Sequence, residues 1–291
     1  MSLLGLTVRE RHRGSAGKSL LDRILDVGVE AALEPVSESP DLRGYVEEAT
    51  RSGFPEPALR LGEEARQAWL GSYLDQLLTR DVLLVDAGRD PERLRRFVTA
   101  YAAITAQVVD DTTLIQAAGI DRKTAIAYEQ LLRNLFVVDW LPAWSNNLLK
   151  QLIRSPKRYM LDPALAAAAL RLDAAGIMRR GTLLGPILET FVLSQIRAEV
   201  SAAQWSPQLF HLRTHGGRHE VDIIVELEPD RFLGIEVKAT AAPRRDDAIH
   251  LCWLQQELGD RFEGGIVFHT GPRPFMLSPG IVAAPIAALW G

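Results

Sequence analysis

At 291 residues, with 24% charged and 47% hydrophobic side chains, the chain is large enough for one big globular domain or two ordinary ones. Its formal net charge of −4 excludes a uniformly basic surface, so any nucleic-acid contact must come from a local patch. A single cysteine, Cys252, excludes an internal disulfide; with no apolar run of membrane-spanning length and no signal-like start, the chain reads as cytoplasmic with no membrane partner.

Gly14-Ser15-Ala16-Gly17-Lys18-Ser19 imitates a phosphate loop, but that motif needs glycine where His12 stands and a strand before it, so no nucleotide site is expected. Helices are predicted over residues 20–33 and 45–51, the second closed by Gly53-Phe54-Pro55-Glu56-Pro57. Residues 63–79 place Ala65, Trp69, Leu70, Tyr73 and Leu77 on one buried face. Asp90-Pro91-Glu92 then starts a helix to about residue 107, through a capping acid and a first-turn proline.

Residues 110–141 carry a more specific pattern. A short helix over 112–118, a turn at Gly119-Ile120, a helix capped by Asp121 and running to about Leu135, and a strand over 136–141 make a winged-helix layout. The second helix would present Arg122, Lys123 and Arg133, a thin basic surplus against Asp121 and Glu129 and a candidate DNA surface. Residues 150–158 hold Lys150, Arg154, Lys157 and Arg158 with no acid, and read as a basic loop suited to phosphate contact.

From residue 185 to about 203 a helix carries Glu189 on the stripe of Val192, Leu193 and Ile196, facing the interior. A buried acid needs a partner, and a metal ion or Lys238 could serve. Strands follow at 209–213, 220–226 and 233–238, then a helix near 246–258 and a strand at 265–269, in the order α-β-β-β-α-β. The middle hairpin places acids inside Ile/Val-rich runs: Asp222 on one strand, Glu236 on the next. Lys238 lies two residues after Glu236, on the same face. Asp222 converges with them only if it stands opposite Glu236, leaving Glu228-Pro229-Asp230 as the loop; a one-residue slip would turn it away. Two carboxylates suit a hard divalent cation, which polarises a phosphoryl oxygen and acidifies bound water, while a lysine orients that water. The alternative is a solvated hairpin with a salt bridge. His211, His215 and His219 recur every four residues, but Gly216-Gly217 and the strand-like 209–213 break the helical geometry a zinc site would need.

This order, with Glu189, Asp222 and Glu236-Val237-Lys238, resembles the PD-(D/E)XK nuclease superfamily. More closely, residues 45–290 resemble prokaryotic proteins that join an N-terminal AAA-type ATPase to a C-terminal domain of unknown function. The shared landmarks include Gly53-Phe54-Pro55-Glu56, Arg80-Asp81, Pro156-Lys157-Arg158-Tyr159 with Asp162, Gly185-Pro186-Ile187-Leu188-Glu189, Arg213-Thr214 and Ile235-Glu236-Val237-Lys238. No ATPase module accompanies them here, so the chain looks like the C-terminal half of such a protein.

The resemblance implies an α/β chain with a helical and winged-helix part over residues 1–165 and a restriction-endonuclease-like part over 166–291. It implies Mg²⁺ or Mn²⁺ on Glu189, Asp222, Glu236 and the Val237 carbonyl, with Asp222, Glu236 and Lys238 catalytic in phosphodiester hydrolysis of nucleic acid, DNA above all. Two other expectations stand beside it. One is an inactive regulatory half that binds DNA or protein; the other is a partner ATPase stimulated through Arg80.

Overall fold

The computed structural model describes residues 4–12, 17–33, 35–36, 38–81, 90–145, 155–203 and 205–290. In chain order these form α1 (Val8–Arg11), α2 (Leu20–Ala32), α3 (Leu42–Ala49), α4 (Pro55–Arg60), α5 (Glu63–Gln76), α6 (Pro91–Ala103), α7 (Asp111–Ala118) and α8 (Arg122–Asn134). There follow β1 (Val138–Leu141), β2 (Lys157–Met160), α9 (Pro163–Ala169), α10 (Ala174–Arg179), α11 (Gly181–Ala202), β3 (Gln208–Arg213), β4 (Glu220–Glu228) and β5 (Arg231–Val237). The chain ends with α12 (Ile249–Leu258), β6 (Phe262–His269), β7 (Phe275–Ser278) and β8 (Ile281–Pro285).

The chain does not divide at residue 165. One unit comprises residues 46–141 and 155–191, the other residues 1–45, 142–154 and 192–291. The N-terminal segment belongs with the C-terminal sheet because its apolar side chains are buried there: Val29 of α2 sits against Gly264 of β6, and Ala287 N–H donates to Tyr45 Oη at 3.1 Å.

In the first of these units, Asp90 caps α6 by accepting from Glu92 N–H, and Pro91 fills the first helical position. Gly119 ends α7 at φ 64, a left-handed conformation that costs glycine least, and Asp121 restarts the chain as α8 by accepting from Thr124 N–H. Phe136 has φ 56, so the following strand begins at Val138 rather than at residue 136. β1 pairs antiparallel with β2 from Val138↔Met160 to Leu141↔Lys157. The stretch read as a basic loop is thus partly a buried strand. Leu94, Phe97, Tyr101, Leu114, Tyr128 and Leu132 are buried in the helices beside this ribbon.

The other unit is built on a six-stranded mixed sheet in the order β3-β4-β5-β6-β8-β7. The β3–β4, β4–β5 and β7–β8 pairs are antiparallel, whereas β5–β6 and β6–β8 are parallel, the first of these joined through α12. β7 and β8 extend the sheet beyond the six elements expected from the sequence. Gly264 and Gly265 point to opposite faces. A Cβ on Gly264 would lie 2.4 Å from Val29 of α2, and one on Gly265 3.2 Å from Leu251 of α12, so a helix covers each face. Leu251 and Leu254 of α12 share one core with Phe210, Val221, Ile224, Phe232, Val267, Ile281 and Trp144.

Candidate functional site

The β4–β5 hairpin pairs Ile223 with Ile235, Ile224 with Gly234 and Val225 with Leu233. Continued by one residue, this register sets Asp222 opposite Glu236. Nearer the turn a bulge between Glu226 and Glu228 shifts the pairing to Glu228↔Arg231, which shortens the loop to Pro229-Asp230, with Asp230 at φ 62. Gly234 packs against Leu251 of α12, so Glu236 and Lys238, two and four residues on, share the face that α12 covers.

Glu236 is 2% exposed, and Lys238 Nζ lies 2.9 Å from its Oε2. The Val237 main-chain N–H donates to Asp222 Oδ2 at 3.0 Å, which fixes the second carboxylate across the hairpin. Lys238 is itself held to the neighbouring strand through its N–H, which donates to Phe268 O at 2.8 Å. Burial disfavours the Lys238 ammonium, but Glu236, by charge and hydrogen bond, outweighs it with help from Asp222 and Asp247, and the pKa is raised. Lys238 is therefore a fixed cation at neutral pH, a charge-stabilising group rather than a base.

Four further residues stand near this cluster. Asp247, in the 3₁₀ turn that leads into α12, acts on Lys238 electrostatically. His250, in the first turn of α12, feels the charges of Lys238, Asp222 and Glu220. His219, at the entrance to β4, stacks flat on Trp253 with ring centres 4.3 Å apart and meets the His250 ring edge-on at 5.7 Å. His250 and Trp253 were missed because the sequence places them on an apolar helix with no motif. The signal was topological: a crossover helix after β5 starts beside the carboxyl end of that strand. His211, by contrast, is buried on β3.

Glu189 does not need the hairpin acids or a metal for compensation. It falls in the other unit, 8% exposed, where Lys157 Nζ lies 2.6 Å from its Oε1 and Tyr159 Oη donates to the same oxygen. Its partner is a lysine of β2. Among the described residues no three His, Cys, Asp or Glu side chains are grouped to hold a metal ion. What remains is a two-carboxylate set, Asp222 and Glu236. Hard oxygen donors already facing an ammonium fit Mg²⁺ or Mn²⁺, since Mg²⁺ commonly takes one or two carboxylates and keeps several waters. Val237 engages the site through its N–H, which donates to Asp222 Oδ2.

The basic residues separate into two groups. Lys157 and Arg158 are 2% and 4% exposed and serve as internal cations, so they are not phosphate contacts. Arg158 donates to Glu129 Oε1 at 2.9 Å and to Val109 O at 2.9 Å, and pairs with Asp111. Arg133 lies over the Trp140 ring at 3.8 Å and 3.6 Å from Asp139. Arg122, with a side chain 73% exposed and loosely paired to Asp111 at 3.7 Å, and exposed Lys123 remain accessible. Lys150 and Arg154 lie outside the described residues.

Residues 42–176 match a family described as a domain of unknown function (DUF8612), and residues 184–289 match another (DUF4143), found in C-terminal regions associated with AAA-type ATPases. Uncharacterized proteins of Mycobacterium bovis and Mycobacterium tuberculosis are each 29% identical over 236 residues. That covers 81% of this chain but 51% of each relative, so the chain spans about half the length of the curated relatives it matches. No solved structure matches. No helix among the described residues is long and apolar enough to cross a membrane.

Proposed function

We propose that the sheet-bearing unit is a divalent-metal-dependent nuclease-like module of the PD-(D/E)XK type, acting on phosphodiesters of nucleic acid in the cytoplasm. The observation that carries this reading is the hairpin register. It brings Asp222, Glu236 and Lys238 to one place on the sheet. Asp222 and Glu236 would hold Mg²⁺ or Mn²⁺, which supplies Lewis acidity at a phosphoryl oxygen and a more acidic bound water. Lys238, pinned by Glu236, donates a hydrogen bond and a positive charge to the oxygen on which charge develops. Val237 N–H keeps the Asp222 carboxylate from rotating away.

The helix–turn–helix with its β1–β2 ribbon supports a winged-helix reading of the other unit, with α8 facing DNA through Arg122 and Lys123. A second reading is favoured by the withdrawal of Glu189 into its pair with Lys157: a catalytically silent, DNA- or protein-binding regulatory half of an AAA-type ATPase. A third reading, separate from these two, is a partner ATPase to which this chain supplies Arg80 in trans.

Mn²⁺ calorimetry on the wild type and on Asp222→Asn tests the first reading. Saturable binding lost in the variant supports a working site. Identical isotherms, with short duplex DNA present as well as absent, would leave only the regulatory reading.

A further inference from the structure

The nuclease-like reading leaves a pair of histidines without a role. His219 and His250 touch one another, and His219 is locked in plane by Trp253. Trp253 in turn packs against the core under α12, so both rings are held by the fold rather than by solvent. The Nδ1 atom of each ring is buried and meets no hydrogen-bonding partner among the described residues. A buried N–H without an acceptor is rarer in proteins than a buried lone pair. The arrangement therefore favours Nδ1 as the bare nitrogen and Nε2 as the N–H in both rings. Protonation would force an N–H onto Nδ1 as well. The charges around His250 agree: burial first, then His219 and Lys238, hold its pKa below the ordinary value, while Glu220 and Asp222 pull the other way.

We propose that His250 is a neutral hydrogen-bond donor of the Asp222–Glu236–Lys238 site, its Nε2–H taking an anionic oxygen of a phosphodiester, with His219 and Trp253 as the positioning pair that fixes its ring. This deepens the nuclease-like reading and rests on it. A neutral donor is the chemistry this place requires. Lys238 is already committed to Glu236, and a further cation beside the two carboxylates would compete with a divalent ion for them. An imidazole N–H adds a directed contact without adding charge, and a ring clamped in advance loses little freedom on binding.

The test uses the full chain labelled with ¹⁵N-histidine, its ring signals assigned with His250→Gln and His219→Gln. Long-range ¹H–¹⁵N spectra at neutral pH are expected to show His250 as the Nε2–H tautomer. Short duplex DNA added with Ca²⁺ should shift the His250 Nε2 signal. His250→Ala should weaken that binding by about three- to tenfold, the scale of one lost hydrogen bond. His250→Gln, whose amide N–H takes the place of Nε2–H, should restore most of it; a merely structural ring would not be rescued in this way. An Nδ1–H tautomer, an unmoved His250 signal, or equal affinity of the wild type and His250→Ala would overturn the proposal. Mn²⁺ binding that depends on Asp222, measured on the same samples, shows whether such a failure stops at His250 or reaches the carboxylate site itself.

Discussion

Replacing Lys157 with methionine would remove the ammonium paired with the Glu189 carboxylate inside the helical unit, a carboxylate to which Tyr159 Oη also donates. Both partners of the ion pair are nearly inaccessible, at 2% and 8% exposure, so water cannot take the place of the lost ammonium. Breaking a buried pair from one side typically costs about 3–5 kcal/mol. With a urea dependence of about 1–3 kcal/mol per molar, the midpoint of that unit should fall by about 1 M or more. Lys157→Met with Glu189→Leu removes both charges and should recover most of the loss, because a packed apolar pair escapes the desolvation cost. Glu189→Gln alone should cost less than Lys157→Met while leaving Mn²⁺ affinity unchanged. Urea unfolding followed by fluorescence, with parallel calorimetry, measures all of these. If Glu189→Gln abolished Mn²⁺ binding while barely moving the midpoint, Glu189 would be a metal ligand and the ion-pair argument would be wrong.

Four further outcomes follow from the geometry. Gly234→Val should destabilise the sheet-bearing unit by about 1–3 kcal/mol, because its Cβ would start 2.7 Å from Leu251 Cδ2; an unchanged melting temperature would refute that close packing. Arg122→Ala with Lys123→Ala should weaken duplex binding and flatten its salt dependence, whereas Arg158→Ala should act first on stability, readable by thermal melting. Burial raises the Glu199 pKa to about 7 even though it caps α2 by accepting from Leu20 and Leu21 N–H. A carboxyl raised in the folded state stabilises fully below its unfolded pKa and loses that contribution as pH rises through about 7; Glu199→Gln should therefore gain about 2–3 kcal/mol over the wild type at pH 8 and little at pH 4, compared by denaturation at each pH. Lys238→Met should leave Glu236 buried without its ammonium, lowering stability and, through charge no longer offset, raising the affinity of the carboxylates for Mn²⁺ in calorimetry.

How much of this was legible beforehand depended on how far each charge stood from its partner. The hairpin could be read because Glu236 and Lys238 are two residues apart, and because Asp222 before Ile223-Ile224-Val225 and Glu236 after Leu233-Gly234-Ile235 conflict with the apolar runs they adjoin. Its register needed only the strand period and a short turn, and the bulge before Pro229 absorbed the one residue by which the expected loop was too long. β7 and β8 escaped because β7 is short, and β8 reads, in Ile281–Pro285, as apolar chain beside a proline with no alternation to mark it.

Lys157 and Arg158 show the opposite limit. Two basic residues in succession resemble solvent-facing loop, yet on β2 they lie next to one another on a strand, so their side chains go to opposite faces. Each meets a carboxylate supplied from far along the chain: Glu189 of α11 for Lys157, Glu129 of α8 and Asp111 of α7 for Arg158. No local pattern announces such pairs, because hydropathy counts each charge as a reason for exposure when the two together are a reason for burial. The same logic explains why Glu189 was drawn toward the hairpin acids: its own position predicted burial, but not which cation would meet it. The proposed chemistry consequently belongs to the local constellation of Asp222, Glu236 and Lys238, whereas the long-range pairs hold the helical unit together around α7, α8 and β2.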